Sequence, residues 1–227
     1  MDAAPLTFLV LMALVLALGI GLALAAHAAE RRRREALFAL ASRLGLRFDA
    51  SRDPGLAARY AYLKALAKGE NRYFFNSLAG RHRGEEVLVS DYHYEITTTN
   101  SKGHRQTHHH YLSVFALSLP KAFPELTIAK EGFMSKIAQS LGYEDIDFES
   151  HEFSRSFCVR SRDKKFAYDV CNARMIDYLL GNKDLSIEID RDTLALVFPS
   201  KLKLERAESD LARLLEIRAR LPHYLFA

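Results

Sequence analysis

The sequence predicts an α+β protein, in which an N-terminal transmembrane helix precedes a mixed domain of antiparallel β-hairpins with flanking helices. Three features carry that expectation. No charge interrupts the run from Leu6 to Ala26, and segments rich in β-branched and aromatic residues fill the middle of the chain. Apolar residues recur at helical spacing on both sides of those segments. A length of 227 residues accommodates an anchor and one good-sized domain.

A helix rises about 1.5 Å per residue, so the run Leu6 to Ala26 spans roughly 30 Å, the thickness of a bilayer's hydrocarbon core. A cleavable signal peptide is the alternative, with small-residue sites around Ala23, Ala25, Ala26 and Ala28. Such a peptide wants a positive start and a shorter apolar stretch, whereas this N-terminus carries Asp2 and no Lys or Arg. Arg31, Arg32, Arg33 and Arg34 follow the run, then Arg43 and Arg47, and positive flanks stay on the cytoplasmic side. The expected arrangement is a single-pass inner-membrane protein with its N-terminus outside. Residues 1–29 form the anchor, 30–50 a basic juxtamembrane helix and 51–227 a cytoplasmic domain, divisible into lobes at 51–142 and 143–227. Arg31 to Arg34 are also candidate membrane-surface residues, each worth about 1 kcal/mol near anionic head groups. The plainer reading makes them only a stop signal for translocation. They supply much of the +4 net charge, and the near-neutral remainder argues against a nucleic-acid surface.

Along the soluble part, Ala36, Leu37, Leu40, Ala41 and Leu44 continue the membrane helix as a stalk that Gly45 ends. Asp53-Pro54 opens a second helix, with Leu56, Tyr60, Leu63, Leu66 and Ala67 as its stripe and Gly69 as its close. Three antiparallel strands follow at Tyr73 to Leu78, Glu86 to Thr98 and Gln106 to Leu119, with turns at Arg83-Gly84 and Asn100 to Gly103. A short strand is expected at Leu126 to Ala129 and a short helix at Gly132 to Leu141. Phe153, Phe157 and Val159 fit one strand face, and Asp163 starts helical pieces that run to Leu180. Leu185 to Ile189 and Leu194 to Phe198 read as a hairpin around Asp190-Arg191-Asp192, before an amphipathic helix from Leu204 to Leu221.

Histidine is the most unusual local feature. His93 and Glu95 precede the Asn100 to Gly103 turn, and His104, His108, His109 and His110 follow it. With the turn centred on Ser101-Lys102, His93 lies opposite His110 and Glu95 opposite His108. One face then carries Asp91, His93, Glu95, Thr97, Gln106, His108 and His110. The other carries Tyr92, Tyr94, Ile96, His109, Tyr111 and Phe115 and resembles a core side. His93, Glu95, His108 and His110 are thus the candidate ligands for Zn²⁺ or a similar divalent metal, since imidazole and carboxylate are its usual donors. Against this stands a solvated polar sheet face, with His109 a satisfied core residue; a pH-sensing imidazole cluster lies between the two.

No other group of residues defines a catalytic site. Cys158 and Cys171 show no C-x-x-C spacing and lie in apolar surroundings, so a thiol enzyme with His151 as base is disfavoured, and the pair suits a reducing compartment. Asp145, Asp147, Glu149 and Glu152 meet no Ca²⁺-loop spacing and read as a solvated loop. No Gly-rich nucleotide loop and no G-x-S-x-G is present, so neither a catalytic residue nor an organic cofactor is assigned.

The segment Glu152-Phe153-Ser154-Arg155-Ser156-Phe157-Cys158-Val159-Arg160-Ser161-Arg162-Asp163, followed by Ala167-Tyr168, resembles a pattern, E-F-x-x-x-F-x-V-x-S-x-D, in a family of bacterial membrane-anchored proteins of unknown function. Leu78 to Gly84 resembles that family's strand-turn element. The resemblance covers Phe75 to Phe198 and departs from the family in the histidine-rich hairpin and the single membrane span. Its motifs are structural and imply no activity. The leading expectation is a membrane-tethered protein-binding or scaffolding module, with the membrane and a protein as partners. The alternative is a metal-binding enzyme or sensor that uses the histidine-rich hairpin.

Overall fold

A computed structural model describes residues 4–101, 103–130 and 145–227. The expected helix at Gly132 to Leu141 and Lys102 of the turn lie outside the described residues. The first element, α1 (Ala4–Leu44), joins the apolar run and the stalk in one unbroken helix. Its N-terminal part is long and apolar enough to cross a membrane. Leu37, Leu40 and Ala41, near its other end, are buried in the domain. Gly45 stops it at φ +71°, with Leu46 N–H donating to Ala41 O and Gly45 N–H to Ser42 O, the paired bonds of a Schellman cap.

The long apolar helix and the α+β domain agree with the sequence. Among the described residues, the domain holds one six-stranded antiparallel sheet of β1 (Arg47–Asp49), β2 (Glu70–His82), β3 (Glu85–Thr99), β4 (Arg105–Lys130), β5 (Phe157–Ser161) and β6 (Ser186–Phe198). Its helices are α2 (Pro54–Arg59), α3 (His151–Ser156), α4 (Lys164–Val170), α5 (Ala173–Leu180) and α6 (Leu204–Arg220). β4 organises the sheet. One edge pairs with β6 from Ser113 to Ala129, and the other pairs first with β3 and then, beyond Leu126, with β5. Strands from both halves of the chain therefore share one sheet.

Several elements differ from expectation. The strands expected at Gln106 to Leu119 and Leu126 to Ala129 are one continuous strand, β4, which runs through Pro120 and Pro124 with register shifts against β6 between Ser118 and Leu126. The segment 186–198 is one strand, not a hairpin: it pairs along β4, with Ile187 opposite Ile128 and Leu196 opposite Phe115. Arg191 takes φ +52° at a register shift, a bulge rather than a turn. The bulge offsets the alternation by one residue, so Ile187, Ile189, Leu194 and Leu196 all reach the same core. Phe153 is also not in a strand. Ser150 caps α3 by accepting from Phe153 N–H, and only Phe157 onward is extended.

Both sheet faces are covered. α1, α6 and the α3–α5 segment bury the larger core on one face, around Val89, Phe115, Leu126, Ile189 and Leu211. The chain from α2 to β2 covers the other, where Leu63 and Leu66 pack on Phe74, Tyr92 and Val114. The second helix is shorter than its apolar stripe suggests: α2 ends at Arg59, and Tyr60 to Gly69 follow as turns. This irregular layer is held by polar groups. Tyr92 Oη donates to Leu66 O at 2.6 Å, and the buried Glu188 carboxylate accepts the N–H groups of Lys64 and Ala65.

Gly69 closes that layer at φ +67°, where a Cβ would fall 2.3 Å from Glu95 O. Gly69→Ala is expected to destabilise the protein by about 2 kcal/mol or more in chemical unfolding, from backbone strain and collision together. Burial, with Glu125 and Asp190 nearby, pushes the Glu188 carboxyl up to about 7 from 4.5, against the opposing N–H bonds. Between those values the unfolded chain releases a proton that the folded chain keeps, so the Glu188 contribution to stability falls as pH rises through that window. Unfolding free energies compared across pH are expected to decline less in Glu188→Gln than in the parent, the difference being on the order of 1–3 kcal/mol.

Candidate functional site

Along β3 the side chains of Val89, Asp91, His93 and Glu95 share the sheet face on which α1 packs. Val89 belongs to the core and the next three residues are polar. Asp91 is wholly buried. Arg33 of α1 grips it with both guanidinium arms, Nη1 to Oδ2 at 2.9 Å and Nη2 to Oδ1 at 3.2 Å. Leu202 N–H donates to Oδ1 at 2.6 Å, Asn76 Nδ2 donates to Oδ2 at 3.1 Å, and Arg33 Nη2 also donates to Leu202 O at 2.7 Å. Asn76 reaches Asp91 because it sits in a β2 bulge at φ +52°. A planar fork fits this carboxylate where a lysine ammonium would satisfy one oxygen at a time.

This clamp separates one of the four candidate membrane-surface arginines from the others. Arg33 is turned into the domain, whereas Arg31, Arg32 and Arg34 are exposed. Arg31 pairs with Glu35 and Arg34 with Glu30 one turn away. A second tie, Leu44 O to His82 Nδ1 at 3.0 Å, fixes the far end of the stalk beside the start of β3. The two ties set the stalk in the opposite chain direction to β3, with Arg33 at Asp91 and Leu44 near the start of the strand. His93 and Glu95 accordingly lie beyond the clamp on the side from which the apolar run departs.

There the structure brings together His93, Glu95 and His109. The expected register is corrected here. Thr99 pairs with Arg105 around a five-residue loop, Asn100 to His104, so Glu95 faces His109 and Tyr94 faces His110. An odd loop reverses the parity that a turn centred on Ser101-Lys102 imposes. Gly103 at φ +79° and Asn100, which accepts His104 N–H through Oδ1, build that loop. His110 stacks on Tyr94 and His108 lies opposite Ile96, both on the far side of the sheet from His93. His109, read from the sequence as a core residue, is the partner instead, and its side chain is 55 % exposed.

His93 Nε2 lies 3.1 Å from His109 Nδ1, which lies 3.2 Å from Glu95 Oε1, and His93 Nε2 is 3.8 Å from that same oxygen. Asn71, at φ +49°, supports two of these groups: its carbonyl oxygen meets His93 Nδ1 at 3.2 Å and its Nδ2 donates to Glu95 Oε1 at 2.7 Å. A carbonyl only accepts, so His93 carries its proton on Nδ1 and turns the Nε2 lone pair into the cluster. Tyr73 stacks on the His93 ring at 4.5 Å. Burial holds the His93 pKa below the ordinary imidazole value, so this ring is neutral near pH 7.

The remaining groups singled out in the sequence have structural places. Asp145 accepts Val159 N–H at 2.7 Å, Asp147 O accepts from Tyr168 Oη, and Glu152 pairs with Lys183. Cys158 and Cys171 are not joined by a disulfide, and burial pushes the Cys171 thiol up to about 12. A single Asp on a strand carries no motif, so the sequence marks Asp91 only by its place on the polar face with His93 and Glu95.

The fold is thus that of an α+β domain carried on a long apolar N-terminal helix. Among solved structures, the chain is similar to the crystal structure of the mycobacterial trehalose monomycolate transport factor A, TtfA. The TM-score is 0.56 and the identity 13 %, over 83 % of this chain and 96 % of that one. No protein-family model matches the sequence, and no curated protein does.

Removing Arg33 leaves Asp91 buried with its charge uncompensated. Arg33→Ala is expected to cost about 3–5 kcal/mol in chemical unfolding of the full chain in detergent, against under about 0.5 kcal/mol for Arg32→Ala.

Proposed function

We propose that this is a single-pass inner-membrane protein, N-terminus outside, whose cytoplasmic domain binds a protein partner and holds it at the membrane surface. The reading is carried by the continuity of α1, which leaves the apolar run and enters the Arg33–Asp91 clamp without a linker. A domain joined this way has a set height and orientation against the bilayer, which a scaffold needs and a flexible tether does not provide. Arginines on the flank of the apolar run support the cytoplasmic placement, and Arg31, Arg32 and Arg34 remain exposed beside it, where anionic head groups would lie in this reading. The likeness to a transport factor is an analogy at the level of fold, and a partner-binding role is compatible with it. The resemblance to bacterial membrane-anchored proteins through Glu152 to Asp163 points the same way.

The test separates tethering from rigid placement. Crosslinking in intact membranes is expected to give a discrete heteromeric species, retained when residues 1–29 are exchanged for an unrelated membrane helix. A Gly/Ser insert of about ten residues after Ala29 should lower its yield several-fold. A protein recovered only as itself, or a yield indifferent to the insert, defeats the proposal.

A further inference from the structure

The geometry points to a divalent transition-metal site, best matched by Zn²⁺, formed by His93 Nε2, His109 Nδ1 and a Glu95 carboxylate oxygen, with a fourth position open to solvent. A tetrahedral ion with bonds of about 2.0–2.1 Å has ligand-to-ligand edges of roughly 3.3 Å. The three edges here are 3.1, 3.2 and 3.8 Å, so the ion enters with side-chain adjustments of a few tenths of an ångström. Two imidazoles and one carboxylate suit Zn²⁺ and its neighbours, and exclude a site built for Ca²⁺ or Mg²⁺, which favour oxygen donors alone.

Three further observations separate this cluster from a chance meeting of side chains. His93 is 2 % exposed and stacked on Tyr73, so its ring is fixed before any ion arrives. Its Nδ1–H is directed to Asn71 O, the outer hydrogen bond that metal-bound histidines use to set their tautomer. The same residue's amide holds Glu95 Oε1, so Asn71 braces two ligands at once. Without metal, His93 Nε2 and Glu95 both accept, and a proton on His109 Nδ1 bridges them. A metal ion takes that proton's place at Nδ1, and the neutral His109 ring changes tautomer, so that its single proton sits on Nε2. Glu70, opposite Glu95 on β2, accepts from Thr97 Oγ1 and leaves the fourth position to water or to a ligand from a partner. His109 and Glu95 stand opposite each other on adjacent strands, so the ion also pins the β3–β4 hairpin beyond the stalk clamp.

The test uses full-length protein in detergent, free of any polyhistidine tag and stripped with chelator, titrated with Zn²⁺ against a chromophoric competitor. One Zn²⁺ per chain is expected, with at least tenfold weaker binding in His109→Ala and unchanged binding in His108→Ala and His110→Ala. His109 is largely exposed, so its loss leaves the fold intact, which circular dichroism of the same sample verifies. Co²⁺ in place of Zn²⁺ should give the intense visible bands of a tetrahedral ion, absent in His109→Ala. No uptake by the parent overturns the inference. So does uptake that survives His109→Ala, or uptake lost equally in His110→Ala.

Discussion

A buried guanidinium–carboxylate pair fixes where everything else in this molecule sits. Desolvating Arg33 and Asp91 costs several kcal/mol per ion, and only near-complete hydrogen bonding repays it. The structure supplies that: Asp91 receives both arms of Arg33, Leu202 N–H and Asn76 Nδ2. The four groups come from the stalk, the β2 bulge, β3 and the loop entering α6. A shift of any one of these elements strands a buried charge. The clamp thus acts chiefly on geometry, because it selects one docking of the stalk from the many that an apolar stripe of Leu37, Leu40 and Ala41 would accept.

The second organising constraint is the length of β4. A single strand of 26 residues would normally present two exposed edges, and here β3, β5 and β6 cover them in sections. So long a pairing cannot stay in register with a twisted sheet, and the bulges at Arg191 and within 118–126 absorb the mismatch. β4 takes five steps against two on β6 from Ser118 to Phe123 and three against two from Phe123 to Leu126, and beyond them Leu126 and Ile128 return to the core of Phe115 and Leu117. Ile187, Ile189, Leu194 and Leu196 of β6 reach one core for that reason, although their spacing in the sequence breaks at Asp190 to Asp192.

The same arithmetic of alternation governs the histidine cluster. Whether His109 or its neighbours meet Glu95 depends only on whether the loop after Thr99 holds an odd or an even number of residues. Residue types around Asn100 to Gly103 announce a turn but not its length, because Asn and Gly serve several turn geometries. The sequence therefore places a candidate ligand cluster on this hairpin with His93 and Glu95 in it, yet sets His108 and His110 in the place that His109 occupies. Asp190-Arg191-Asp192 misled in the same way, since a bulge and a tight turn share polar residues and a positive φ.

What the sequence determined by itself was whatever follows from composition and local periodicity. The apolar run, the stalk through Leu44, the Gly45 stop, the helix caps at Asp53 and Asp163, the strands of the central hairpins and the last amphipathic helix all belong to this class. Each is settled by residues within a few positions of one another, where propensity, capping and hydrophobic spacing agree. Tertiary structure alone decided the pairing of β4 with β6, the burial of Arg33 against Asp91 across 58 residues, and the joining of His93 to His109. Those contacts depend on register and packing summed over distant segments, and no local pattern records that sum.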